Sequence, residues 1–115
     1  MGYQQMNIGI KKMGLGEKDY TGAIADFSKA IELDPENKYA YYSRGTAKYE
    51  LKDYIGAIAY YSKAIEITPK NASANSYRGL AKIKLGQKDN GCLDLSKAGE
   101  LGDSMAYYWI KQYCN

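Results

Sequence analysis

Apolar residues recur along the chain at spacings of three and four residues, which is the pattern of a helix with one buried face. The pattern is clearest at Ala57, Ile58, Tyr61 and Ala64, and Pro69 follows shortly afterwards. Since the residue before a proline avoids the helical region, this pattern predicts a short amphipathic helix that ends before Pro69.

The same pattern recurs along the chain with an offset of 34 residues, the distance from Pro35 to Pro69. Residues 19–35 recur as residues 53–69, and residues 91–101 form a third, more divergent copy. An upstream segment also repeats, and its copies are residues 8–15, 44–51 and 78–85. The first of these copies is displaced by two residues, which we interpret as an insertion in the first turn.

Each unit therefore holds two short helices, and such units stack into a solenoid whose ends need a cap. Gly102 is suited to ending the preceding helix, and Asp103 is suited to capping the start of a last one. We predict an all-α solenoid of seven helices in one domain. Its predicted parts are a first unit at about 2–37, a second at 38–71, a third at 72–102 and a capping helix at 103–114.

The second unit carries the residues of a known 34-residue signature, namely Tyr41, Gly45, Ala57, Tyr61, Ala64 and Pro69. Through them the chain resembles the tetratricopeptide repeat family over essentially its whole length. The third unit departs from the family pattern at Asn75, Leu95 and Asp103. Residues 91–114 are similar to the closing segment of many bacterial members, which implies a bacterial source and a natural C-terminus.

The resemblance implies that the first helix of each unit lines a concave groove for a peptide or protein segment. The groove residues expected from it are Met6, Ile10, Met13, Tyr39, Tyr42, Thr46, Tyr49, Ser76, Leu80 and Ile83. Tyr and Met are adaptable contact residues that are common at binding surfaces. For each of these residues, partial burial between adjacent helices is an equally open interpretation.

Some members of the family bind the acidic C-terminal tail of heat-shock chaperones through a clamp of Lys, Asn and Arg side chains. At the matching places this chain has Met6, Ile10, Ser43, Ser73 and Tyr77. None of these side chains carries a charge, so we expect no clamp of this type.

Composition argues against catalysis. The chain has thirteen Tyr but no His, and His is the commonest general base and metal ligand. We also find no phosphate-binding glycine loop and no metal-ligand spacing of the two cysteines. We therefore predict no enzyme, no catalytic or metal site and no cofactor. Arg44 and Arg78 are expected to pair with acidic side chains of neighbouring helices, with an acidic partner as the alternative.

Cys92 and Cys114 are the only cysteines. If the last two helices form an antiparallel hairpin that turns near Gly102, the two residues lie at similar heights along it. They could therefore form a disulfide that pins the capping helix. The alternative is two reduced, buried thiols.

These observations favour a protein-interaction scaffold with an unidentified protein or peptide partner. One alternative is self-assembly through the first helix, residues 1–15, which Gly9 and Gly14 weaken. Another is RNA or anion binding, which the net charge of +3 does little to support. No run of about 18 apolar residues predicts a membrane span. The location stays open between cytoplasm and, if a leader was removed and the disulfide forms, periplasm.

Overall fold

The computed structural model describes residues 20–115, except for the side chains of residues 20, 21 and 38. The regular elements in this range are six helices. In chain order they are α1 (Tyr20–Leu33), α2 (Lys38–Glu50), α3 (Tyr54–Ile67), α4 (Ala72–Lys84), α5 (Lys88–Glu100) and α6 (Ser104–Tyr113). The fold is thus an all-α solenoid. The seventh predicted helix, in residues 1–15, lies outside the described residues.

Local signals decide where these helices begin. The side chains of Asn37 and Asn71 accept hydrogen bonds from backbone N–H groups in the first turns of α2 and α4. Asp53 does the same for α3, through the N–H of Gly56 at 2.9 Å. These side chains satisfy donors that a helix start leaves without a partner. These caps therefore place the starts of α2, α3 and α4 within one residue.

The turns inside the units share one backbone device. Lys52 and Gly86 occupy the same register, and both have positive φ angles, 64° and 84°. Only glycine adopts this left-handed conformation without steric cost, so Gly86 is the better fitted of the two. The second turn thereby reverses the chain between α4 and α5 without strain.

Each helix packs on the next one along the chain, and α2 also touches α4. Alanine supplies most of the buried contact, for example Ala57, Ala64, Ala74 and Ala81, all of which are fully buried. Small side chains let the helix axes approach closely. The large buried side chains are few, and Phe27, Tyr61 and Leu95 are the main ones.

The closest approach joins α4 and α5. A Cβ atom placed on Gly91 would lie 2.5 Å from the carbonyl oxygen of Gly79, and one on Gly79 would lie 2.7 Å from the carbonyl oxygen of Gly91. The two backbones are therefore in direct contact. Gly45, at the same register in α2, faces the ring of Tyr61 instead, at 2.8 Å.

Candidate functional site

Aromatic rings from three alternate helices form one continuous surface, which we call the aromatic row. It consists of Tyr42 and Tyr49 of α2, Tyr77 of α4 and Trp109 of α6. The ring of Tyr77 lies 6.4 Å from that of Tyr42, 5.9 Å from that of Tyr49 and 5.9 Å from that of Trp109, between centroids. All four side chains are half-buried, so each presents part of its ring to the outside.

A buried tyrosine supports the row from below. Tyr61 of α3 is fully buried, and its ring stacks on that of Tyr77 with 6.1 Å between centroids. Its hydroxyl donates a hydrogen bond to Thr46 Oγ1 at 3.0 Å, and Thr46 donates in turn to the backbone carbonyl of Tyr42 at 3.2 Å. Since a buried hydroxyl needs a partner, these two hydrogen bonds fix the position of the Tyr61 ring. The Tyr61 ring in turn supports the Tyr77 ring that stacks on it.

Burial keeps the tyrosines of this region neutral. It raises the pKa of Tyr49 to about 12, with a smaller contribution from the neighbouring Tyr54. It also raises the pKa of Tyr42, to which Tyr77 adds, and that of Tyr61. Removal of water penalises the phenolate form more than the neutral phenol. The hydroxyls of Tyr42 and Tyr49 therefore remain hydrogen-bond donors throughout the physiological pH range.

Three polar groups of the row are available for a ligand. The hydroxyls of Tyr49 and Tyr77 and the indole N–H of Trp109 take part in none of the hydrogen bonds between described side chains. None of them is among the fully buried polar atoms that lack a hydrogen-bond partner in residues 20–115. These donors therefore reach the surface.

The predicted groove residues of α2 occupy different surroundings in the structure. Tyr42, Thr46 and Tyr49 lie together in or under the aromatic row, while Tyr39, at the start of α2, is 62% exposed. Met6, Ile10 and Met13 lie outside the described residues.

The predicted groove residues of α4 do not form an open wall. Ser76 is fully buried, and its hydroxyl donates to the Asp103 carboxylate at 2.5 Å. Leu80 is only 6% exposed, and Ile83 is half-buried, with its side chain beside Gly91 of α5. The groove expected from the family resemblance did not take account of the turn before α6. Asp103 in that turn binds Ser76 and covers it.

Sequence reasoning missed two members of the aromatic row. A strict 34-residue step from Tyr42 leads to Ser76, whereas the ring that contacts Tyr42 belongs to the next residue, Tyr77. Trp109 was not among the predicted groove residues. The high number of tyrosines indicated an aromatic surface, but composition alone does not show which of them lie together.

Three cationic side chains of α2 and α4 form ion pairs with aspartates of this same protein chain. Arg78 makes two hydrogen bonds of 2.9 Å to the Asp94 carboxylate, and Lys82 Nζ lies 2.9 Å from the same group. Lys48 Nζ lies 3.3 Å from the Asp53 carboxylate. The predicted internal pairing is thus present for Arg78. Arg44 instead lies over the ring of Tyr60, 4.3 Å from its centroid.

In the structure Cys92 and Cys114 are joined by a disulfide, with Cα atoms 5.9 Å apart. The bond links α5 to the residue that follows α6. Other contacts also hold α6 in place, because Ala106 is fully buried and the Tyr107 ring covers Gly99. Trp109 therefore lies between two attachments of α6 to the third unit, namely the contacts of Ala106 and Tyr107 before it and the disulfide after it.

Within residues 20–115 the structure contains no group of three or more acidic or cysteine side chains that could hold a metal ion. None of the described helices is long and apolar enough to cross a bilayer.

Comparison with family models matches the TPR repeat to residues 17–52 and 45–86. Among solved structures, the first TPR domain of Spaghetti (RPAP3), bound to the HSP90 peptide SRMEEVD, is similar with a TM-score of 0.92 and 22% identity, over 98% of this chain and 90% of that chain. The Arabidopsis OM64 TPR domain is similar with a TM-score of 0.93 and 24% identity, over 98% of this chain and 93% of that chain. The crystal structure of MamA has a TM-score of 0.84 and 25% identity, over 92% of this chain and 62% of that chain. No curated protein matches the sequence.

Proposed function

Because this chain belongs to the tetratricopeptide repeat family of interaction modules, we propose that it is a scaffold that binds a peptide or protein segment along the aromatic row. The observation that carries the proposal is the contact between rings of α2, α4 and α6, which joins successive units into one surface. Tyrosine and tryptophan are enriched at binding hot spots because they bury large areas at low entropic cost. We propose no catalytic activity for the chain itself.

The proposal is tested by comparing what three immobilised proteins capture from the source cell. The first is the wild type, and the second carries Tyr42→Ala and Tyr49→Ala in the row. The control carries Tyr108→Ala, since this tyrosine lies outside the row and is 54% exposed. We expect the wild type and the control to capture the same partners and the row variant to lose them. Equal capture by all three proteins would remove the row from consideration as the binding surface.

We further propose that the bound segment is not an acidic chaperone tail. Ser43, Ser73 and Tyr77 stand where clamp-type members carry polar or charged residues, and Tyr77 is instead the centre of the aromatic row. The cations Arg78 and Lys82 are held by Asp94. Among the described side chains, Arg78 and Lys82 are therefore not free to form the pair of cations that usually recognises a carboxylate.

A titration with the peptide SRMEEVD, the ligand bound by the RPAP3 domain, tests this second statement. Trp109 is the only tryptophan, and it lies in the row, so its fluorescence reports directly on binding there. We expect no saturable change of emission. A saturable change that disappears at high salt would contradict the statement, since salt screens recognition by charge.

A further inference from the structure

The aromatic row combines rings with hydrogen-bond donors and offers little free charge. Tyr49, Tyr77 and Trp109 contribute both a partly exposed ring and a donor group. In the same helices, Lys48 pairs with Asp53, and Arg78 and Lys82 pair with Asp94. A ligand that fits this surface therefore supplies apolar rings or chains together with hydrogen-bond acceptors, and it needs no charge of its own.

The backbone of the ligand must also be accommodated. All regular elements in residues 20–115 are helices, so this part of the chain offers no strand edge with which an extended β-peptide could pair. A helical ligand needs an apolar groove for its own apolar face. Of the apolar side chains that α4 was expected to supply, Leu80 is buried and Ile83 is half-buried beside Gly91. Neither of these modes uses what the aromatic row presents.

Polyproline II is a conformation that suits this surface. It makes no internal hydrogen bonds, so its carbonyl groups are free to accept from donors along an aromatic surface. Proline rings pack flat against aromatic faces, and the preformed conformation lowers the entropic cost of binding. The centroid spacings from Tyr42 to Tyr77 and from Tyr77 to Trp109 are 6.4 and 5.9 Å, so the rings form one unbroken row of faces and edges along which such a segment can lie.

We propose that the aromatic row binds an uncharged, proline-rich segment in the polyproline II conformation. This inference rests on the proposed function and specifies the chemistry of its partner. Tyr77 is the central contact, because its ring touches those of Tyr42, Tyr49 and Trp109. The donors of Tyr49, Tyr77 and Trp109 bind carbonyl groups of the segment, and proline rings fill the angles between the aromatic planes.

The test is a titration of the whole chain with decaproline, followed by Trp109 fluorescence. Two peptides of the same length serve as comparisons: a flexible Gly-Ser repeat and an uncharged amphipathic peptide that forms a helix. We expect a saturable change of emission with decaproline and none with the Gly-Ser peptide. The helical peptide should bind at least about tenfold more weakly than decaproline, a difference of roughly 1.4 kcal/mol.

Variants locate the binding site. Tyr77→Ala should weaken decaproline binding by about tenfold or more, as expected for a central aromatic contact. Tyr77→Leu keeps apolar bulk in the packed position but removes the ring and hydroxyl, so it should show the same loss while preserving the fold. Tyr108→Ala, outside the row, should leave the affinity within about twofold. Circular dichroism of each variant verifies that the helices are retained.

The outcomes separate this inference from the proposed function. If the helical peptide binds and is lost on Tyr77→Leu while decaproline does not bind, the polyproline inference is overturned and the row remains a binding surface. If decaproline binds equally to wild type and Tyr77→Leu, the inference is overturned because the site lies elsewhere. If no peptide binds and the row variant captures the same cellular partners as wild type, the inference and the proposed function both fail.

Discussion

The contact between α4 and α5 allows a sharp test of the packing described here. The perturbation is Gly91→Ala in α5. The added Cβ would lie 2.5 Å from the carbonyl oxygen of Gly79 and 2.7 Å from Cγ1 of Ile83. Since the first of these obstacles is backbone, a rotamer change cannot relieve it. The two helices must move apart.

The magnitude follows from two opposing effects. Overpacking of this kind costs about 1–3 kcal/mol, whereas alanine favours a helix over glycine by up to about 1 kcal/mol. With the full helix gain subtracted, we therefore expect Gly91→Ala to lower the free energy of unfolding by up to about 2 kcal/mol. The matched control is Gly99→Ala in the same helix. Its Cβ would meet the ring of Tyr107 at 2.9 Å, and that exposed side chain can rotate away.

Urea unfolding followed by circular dichroism measures both variants against wild type. Both substitutions gain the same helix propensity, so the difference between them isolates the close approach of the two backbones. We expect Gly99→Ala to be neutral or slightly stabilising and Gly91→Ala to be clearly less stable. Equal midpoints for the two variants would refute the conclusion that direct backbone contact joins α4 and α5.

Three further predictions follow from the same packing. Asp94→Asn should cost about 3 kcal/mol in urea unfolding, because it leaves the Arg78 guanidinium without its buried carboxylate; an unchanged midpoint would contradict this. Reduction of the Cys92–Cys114 bond should lower stability by about 3 kcal/mol for its span of 22 residues. The Cys92→Ser variant should then melt at the same temperature as reduced wild type, and added reductant should not change its melting temperature. Burial raises the pKa of Tyr49 to about 12 from the ordinary tyrosine value of about 10, so the unfolded chain loses this proton first and stability should fall between about pH 10 and pH 12. Tyr49→Phe should reduce that slope, and an identical slope in both proteins would argue against the shift.

The disulfide prediction also bears on location. A bond found in the protein purified without reductant, with thiols blocked during lysis, would favour an oxidising compartment such as the periplasm. Fully reduced thiols in that preparation would favour the cytoplasm. We expect the first result, because the structure brings the two cysteines together at the end of α6.

Much of the fold was predictable because its determinants are local. The 34-residue offset, the prolines and the capping residues mark helices through contacts between residues only a few positions apart. Asn71 illustrates this, since its side chain accepts from the N–H of Ala74, three residues later. The tetratricopeptide resemblance then followed from the residues of the second unit alone, and the family match confirms it.

The candidate site was only partly predictable. Tyr42 and Tyr49 were identified by transferring the groove of the family onto α2, whose face is open. The same transfer failed for Ser76, because repeat arithmetic assumes that each unit meets a similar neighbour. Here the helix that stands in place of the next unit's first helix is α6. The Asp103 carboxylate, just before α6, accepts one hydrogen bond from the N–H of Met105 and one from the hydroxyl of Ser76.

The amino-acid sequence by itself thus determined the helices, their repeat and the solenoid, since caps, turns and apolar spacing act over one to four residues. Only the tertiary structure decided which side chains of that solenoid remain open to a partner. That choice depends on contacts across many residues, such as the 27 that separate Ser76 from Asp103. The same contacts joined Tyr77 to Trp109 and turned scattered tyrosines into one surface.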